Sequence, residues 1–129
     1  MPVVIEWYNE AKTILYEKLS GKITLEEYHH LVDDAAQELN QQPHTVHIIA
    51  DFSEASILPT NLVAAMRYAN KRMPSNQGIV VFINPNMLIK QYIQVAKNLH
   101  LNVSKTLFAA RTEDEATQII QQELKREKL

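Results

Sequence analysis

The sequence predicts an α/β fold: a mostly parallel five-stranded sheet with an antiparallel N-terminal hairpin and four main helices. Three observations predict it. After an opening pair of strands, apolar strand-like runs (TVHIIAD, GIVVFIN) alternate with longer segments of helical periodicity. That alternation implies parallel strands joined by right-handed crossovers. The chain has 129 residues, 46% of them apolar, and no linker, so 1–129 reads as one domain with one layered core.

Val3 to Tyr8 reads as the first strand and Thr13 to Leu19 as the second. In the second, Leu15, Glu17 and Leu19 alternate with Ile14, Tyr16 and Lys18, and the short connection at Asn9-Glu10 makes the pair a hairpin. Ser20-Gly21 reads as a turn. Thr24 and Glu27 have the spacing of a capping box, and Leu25, Tyr28, Leu31, Val32, Ala35, Ala36 and Leu39 then form one helical stripe that Asn40 and Pro43 end. Thr45 to Asp51 is a buried strand, and FSEASILP after it reads as a loop. Thr60 is the expected N-cap of a helix running to about Arg72. Gly78 to Asn84 is apolar on both faces, as a strand covered on two sides should be. Asn84-Pro85-Asn86 leads into a third helix with Ile89, Tyr92, Ile93, Ala96 and Leu99 inside. Thr106 to Ala110 is a last short strand, and Thr112 with Glu115 is a second expected capping box, for a helix burying Ala116, Ile119, Ile120 and Leu124.

Composition excludes several functions. With no cysteine there is no disulfide, thiolate metal site or cysteine nucleophile. Two glycines, Gly21 and Gly78, cannot build a phosphate-binding glycine loop. Thirteen basic and fifteen acidic residues give a net charge of −2, without the basic excess of a nucleic-acid binder. The start MPVVIEWYNE lacks the basic region of a signal peptide, and no apolar run reaches membrane-spanning length, so a cytoplasmic location is expected.

Several segments resemble the STAS domains of the anti-sigma-factor antagonist family, above all its divergent, free-standing SpoIIAA-like proteins. They are LSGKIT (Leu19 to Thr24), IADFSEASILPTNL (Ile49 to Leu62), GIVVFINPN, and LHLNVSKTLFAARTEDEAT, and the match runs from about Thr13 to Ile120. The resemblance implies the SpoIIAA-like fold, a protein partner, and no catalytic centre. Bacterial antagonists carry Asp-Ser-Ser-Gly at the start of the second helix, with a serine that a partner kinase phosphorylates. Here the matching residues are Pro59-Thr60-Asn61-Leu62, so only the Thr60 hydroxyl remains as a phosphorylation candidate.

No nucleophile, base and orienting group can be assembled from spacing, so no enzyme and no cofactor are expected. Five histidines include no metal-ligand spacing, because His29 and His30 point about 100° apart on a helix. Parallel α/β sheets often bind ligands at the ends from which their βα loops emerge. That end collects Asp51, Ser53, Ile57, Leu58, Thr60, Asn84, Met87 and Leu88 as the candidate partner or ligand surface. Asp51 and Ser53 read chiefly as braces of their own loop. The apolar tip Ile57-Leu58-Pro59 and Met87-Leu88 are the candidates for recognition, and Arg67, Lys71 and Arg72 nearby would suit transient contact with an anionic membrane. Two functions follow: a non-enzymatic protein-interaction or regulatory module, or a carrier of a small hydrophobic, lipid-like ligand. Trp7, Tyr8, Tyr16 and His47 further point to a partly uncovered sheet face and a homodimer.

Overall fold

The computed structural model describes residues 3–57, 61–84, 89–101 and 105–127. Strand β1 (Val3–Trp7) pairs antiparallel with β2 (Ile14–Lys22), Val3 opposite Leu19 and Trp7 opposite Leu15. Asn9 shapes the turn between them: its side chain accepts from the Thr13 N–H at 3.1 Å and donates to the Thr13 hydroxyl at 2.7 Å. Helix α1 (Leu25–Asn40) opens with the expected capping box, Glu27 N–H to the Thr24 hydroxyl at 3.1 Å and Thr24 N–H to the Glu27 carboxylate at 3.0 Å. Strand β3 (Val46–Ile57), helix α2 (Leu62–Arg72), strand β4 (Gln77–Ile83), helix α3 (Ile89–Asn98), strand β5 (Leu107–Ala110) and helix α4 (Glu113–Glu127) follow.

The sheet order is β1-β2-β3-β4-β5, the same as the chain order, and every pair after the first is parallel. This monotone order decides where the helices go. Each crossover advances in the same direction, and right-handed crossovers of one direction place all their helices on one face. Helices α1, α2 and α3 accordingly share a face, where Tyr28, Leu31, Leu39, Met66 and Tyr92 pack on Leu15, Leu19, Ile48, Val80 and Phe82. Only α4, which no crossover constrains, covers the other face, where Ala116 and Ile120 meet Ile14, Tyr16, Ile49, Val81 and Ile83. Strand β4 lies between β3 and β5 and is buried on both faces, as its composition required.

Five local expectations need correction. The turn at Ser20-Gly21 and the loop from Phe52 are both strand: β2 and β3 continue together, pairing Ser20 with Glu54 and Lys22 with Ile57. Gly21, at φ +68°, absorbs a bulge there rather than a reversal, so strand pairing overrides turn-like composition. The cap of α2 is Asn61, whose side chain accepts from the Ala64 N–H at 3.1 Å, and not Thr60, which lies outside the described residues. At α4 the box is not reciprocal. The Thr112 hydroxyl accepts from Glu115 N–H at 3.2 Å, but the Glu115 carboxylate takes the Arg111 N–H at 2.7 Å. Finally, Tyr16 and His47 are buried by α4. That face stays open at the two edges of the sheet, with Val4 of β1, Tyr8 just beyond it and Phe108 of β5 exposed.

His47 and Gly78 form a matched pair. The ladder between β3 and β4 slips at this point, with Val46 opposite Gln77 but Ile48 opposite Val80. The buried His47 ring fills the irregularity and its Nδ1 accepts the Ile79 N–H at 2.9 Å. A neutral ring then carries its proton on Nε2, which lies 3.2 Å from Glu127 of α4, off the N–H axis, so this is an electrostatic contact rather than a hydrogen bond. A Cβ on Gly78 would run into the imidazole, so the glycine is required by close approach.

Candidate functional site

The sequence reading places the site at the βα-loop end. There, Asp51 is buried at the level where β4 ends, and its carboxylate accepts the Ser53 N–H at 2.9 Å and the Tyr16 hydroxyl. Burial alone would raise Asp51, but the bonds from Ser53 and Tyr16 outweigh it and hold the carboxyl below its ordinary value. Tyr16, raised by burial and by that bond, stacks on Tyr8 at 5.9 Å, and Tyr8 donates to Glu113 at 3.1 Å. Asp51 and Ser53 are therefore braces. Asn84 is buried, with its N–H bonded to the Ala110 carbonyl at 3.0 Å, and Ile57 ends β3. Leu58, Thr60, Met87 and Leu88 lie outside the described residues.

The sheet gives a physical reason to look elsewhere as well. Ligands of open α/β sheets settle in the crevice where strand order reverses and neighbouring loops diverge. This order never reverses, so no such crevice is built in.

A cavity does exist between α1, α2 and the sheet, with a volume of about 70 Å³. Its walls are largely apolar, including Leu31, Ile48, Met66, Val80 and Leu107, and none of Asp51, Ser53 or Asn84 lines it. One wall carries a carboxyl. Glu17 stands between Leu15 and Leu19 in the same phase of the β2 pleat, so it turns toward the helix-covered core and is only 6% exposed. It forms no hydrogen bond or ion pair with any described residue, and burial pushes its carboxyl up to about 8. Tyr28 and Tyr92 line the same cavity. Tyr92 donates to the Tyr28 hydroxyl, and burial raises both phenols far above their ordinary value. Their rings continue into an edge-to-face series, Tyr28 to Tyr92 at 6.1 Å, Tyr92 to Phe82 at 5.6 Å, Phe82 to Phe52 at 5.8 Å. Near neutral pH the three polar groups are uncharged.

A clasp joins the two helices beside the cavity. The Tyr68 ring is sandwiched between His29, stacked at 3.7 Å, and the Arg72 guanidinium, 3.7 Å from its centroid. Asp33 closes the group, accepting from Tyr68 at 2.7 Å and pairing with Arg72 at 3.1 Å. Arg72 also lies at the cavity rim. Sequence reasoning missed this site, although one signal was legible: an acid in the apolar phase of a strand. The clasp needed side chains from two helices and had no local signal.

Among the described residues no three His, Asp or Glu side chains converge as a metal site would require, and no helix is long and apolar enough to cross a membrane. An antiparallel hairpin followed by a monotone parallel sheet, with three helices on one face and one on the other, is the SpoIIAA-like fold. The structure comparisons agree with the resemblance read from the sequence. Over 92% of this chain and 98% of its own, the Bacillus cell fate determinant SpoIIAA in its phosphorylated form superposes with a TM-score of 0.56 at 16% identity. The anti-sigma factor antagonist SpoIIAA in its unphosphorylated form gives 0.56 and 16% over 92% and 96%. An uncharacterized protein of the DUF3478 family from Shewanella loihica PV-4, itself described as having a SpoIIAA-like fold, gives 0.62 and 17% over 90% of each chain. No family model and no curated protein sequence matches the chain.

Proposed function

We propose that the chain is a non-catalytic regulatory module that binds a protein partner through the segment leading into α2. The observation that carries this is the shared fold with an anti-sigma factor antagonist, one that exists in phosphorylated and unphosphorylated forms. Local geometry supports it: beyond Asp51, β3 pairs with β2 alone and runs on past β4 with Ser53, Glu54 and Ser56 exposed, ending at Ile57. Ile57, Leu58 and Met87 are the proposed recognition residues. Since Asn61 supplies the cap, Thr60 is open to substitution without loss of that bond. The test is affinity capture from the native cell with wild type, Leu58→Asp and Thr60→Ala. One specific partner retained by Thr60→Ala and lost by Leu58→Asp supports the reading. Phosphate on Thr60 in cells, together with loss of a complex in Thr60→Glu, would instead assign recognition to a surviving switch.

The cavity favours a second reading, a carrier of a small apolar ligand, with transient membrane contact at the apolar tip. Native mass spectrometry of the purified chain tests it by looking for a co-purifying molecule. Self-association through the exposed Val4 and Tyr8 of the β1 edge is the corresponding homodimer proposal, and light scattering at high concentration decides it.

A further inference from the structure

We propose that the cavity under α1 and α2 receives a primary amine on a short apolar chain, with Glu17, ionised once the ammonium is in place, as the anion that holds it. The inference rests on the carrier reading and names the chemistry of the cargo.

A buried carboxyl is costly unless something pairs with it. Glu17 is 6% exposed, faces the cavity and has no hydrogen-bonding partner among the described residues. The cation nearest to hand, Arg72 at the rim, is committed to Asp33 at 3.1 Å and to the Tyr68 ring. The chain thus maintains an acceptor that it does not itself satisfy, beside a space that it does not itself fill.

The walls state what would satisfy both. Leu31, Ile48, Met66, Val80 and Leu107 accept a hydrocarbon, and about 70 Å³ limits it to a short one, roughly two carbons beside the nitrogen. An ammonium has three donors, which two carboxylate oxygens and a tyrosine hydroxyl can accept. The rings of Tyr28 and Tyr92 add faces that attract a cation. A ligand carboxylate would be repelled by an ionised Glu17, and beside a protonated one it would bring a buried charge with no cation to pair it. An alcohol of the same length offers a single donor and no charge.

The test titrates the full chain at about pH 8 with ethylamine, ethanol and acetate, following amide resonances by NMR. Saturable shifts at cavity residues such as Leu31 and Val80 are expected with ethylamine, binding about tenfold or more tighter than ethanol, with none for acetate. Glu17→Gln should abolish the preference for the amine while still admitting ethanol. Ala69→Leu fills the cavity with Glu17 in place, and should abolish binding of both. Its result stands whether or not Glu17→Gln folds. Equal binding of amine and alcohol by wild type would overturn the role of Glu17 and leave the carrier reading standing. Binding of neither would overturn both. Shifts confined to exposed carboxylates, unchanged in Ala69→Leu, would reduce the effect to surface ion pairing and overturn the proposal.

Discussion

Replacing Glu17 with Gln should change how stability depends on pH. The unfolded chain releases the Glu17 proton near its ordinary value of 4.5, whereas the native state retains it until about 8. Between these limits the native state binds the extra proton, so rising pH favours unfolding. Stability is full below about 4.5, declines through the window, and levels off above about 8. Each pH unit in the window is worth about 1.4 kcal/mol, so the loss reaches roughly 3 kcal/mol at pH 7 and roughly 5 kcal/mol at its end. That is a large share of the ~5–15 kcal/mol available to a domain. The titratable phenols facing Glu17 do not mask the effect, because Tyr28 and Tyr92 stay neutral throughout. The assay is urea denaturation of wild type and Glu17→Gln across this range, taking the difference between them at each pH. That difference should grow in favour of the variant as pH rises. A difference constant to within about 0.5 kcal/mol would refute the reasoning, since it would mean that Glu17 ionises in the native state as freely as in water.

Other outcomes follow from contacts described above. Gly78→Ala should destabilise by about 2–3 kcal/mol by evicting the His47 ring from Ile79 N–H, and Gly78→Ala with His47→Ala should cost less than the two separately, read by thermal denaturation. Asn61→Ala should cost about 1 kcal/mol through loss of the α2 cap, and Thr60→Ala clearly less, compared by chemical denaturation. Asp33→Ala releases both Tyr68 and Arg72, but at a solvent-exposed site, so a loss of about 1 kcal/mol or less is expected, and it should shrink at high salt.

The fold was legible because its signals are local. The Thr24-Glu27 box, the α1 stripe and the two-sided apolarity of β4 each specify their element without reference to the rest. Where local chemistry and pairing disagreed, pairing won: Ser20, Gly21 and the polar run after Phe52 compose like turns but extend because each strand offers the other a ladder. The cap moved by one residue because Thr60 and Asn61 are both capping residues, and Asn, the stronger of the two, supplies the bond. The site was harder. Spacing assigned it to the loop end by a rule that depends on strand order, and strand order is not a local property. Glu17 was visible as an acid in an apolar phase, but its meaning depends on Tyr28 of α1 and Tyr92 of α3, which only the packed structure brings to the same cavity.

The monotone strand order also shapes what happens during translation. Each strand joins a neighbour already made, with one helix or a short turn between, so the sheet can grow from a nascent chain in step with synthesis and at small loop-closure cost. The helix-covered face closes along the way. The opposite face cannot, because α4 follows all five strands in the chain. Until its 15 residues dock, Ile14, Tyr16, Ile49, Val81 and Ile83 form an apolar wall with no cover. The hazard of this protein's biosynthesis is therefore concentrated in one interval and on one surface, and that surface is where a chaperone would find it.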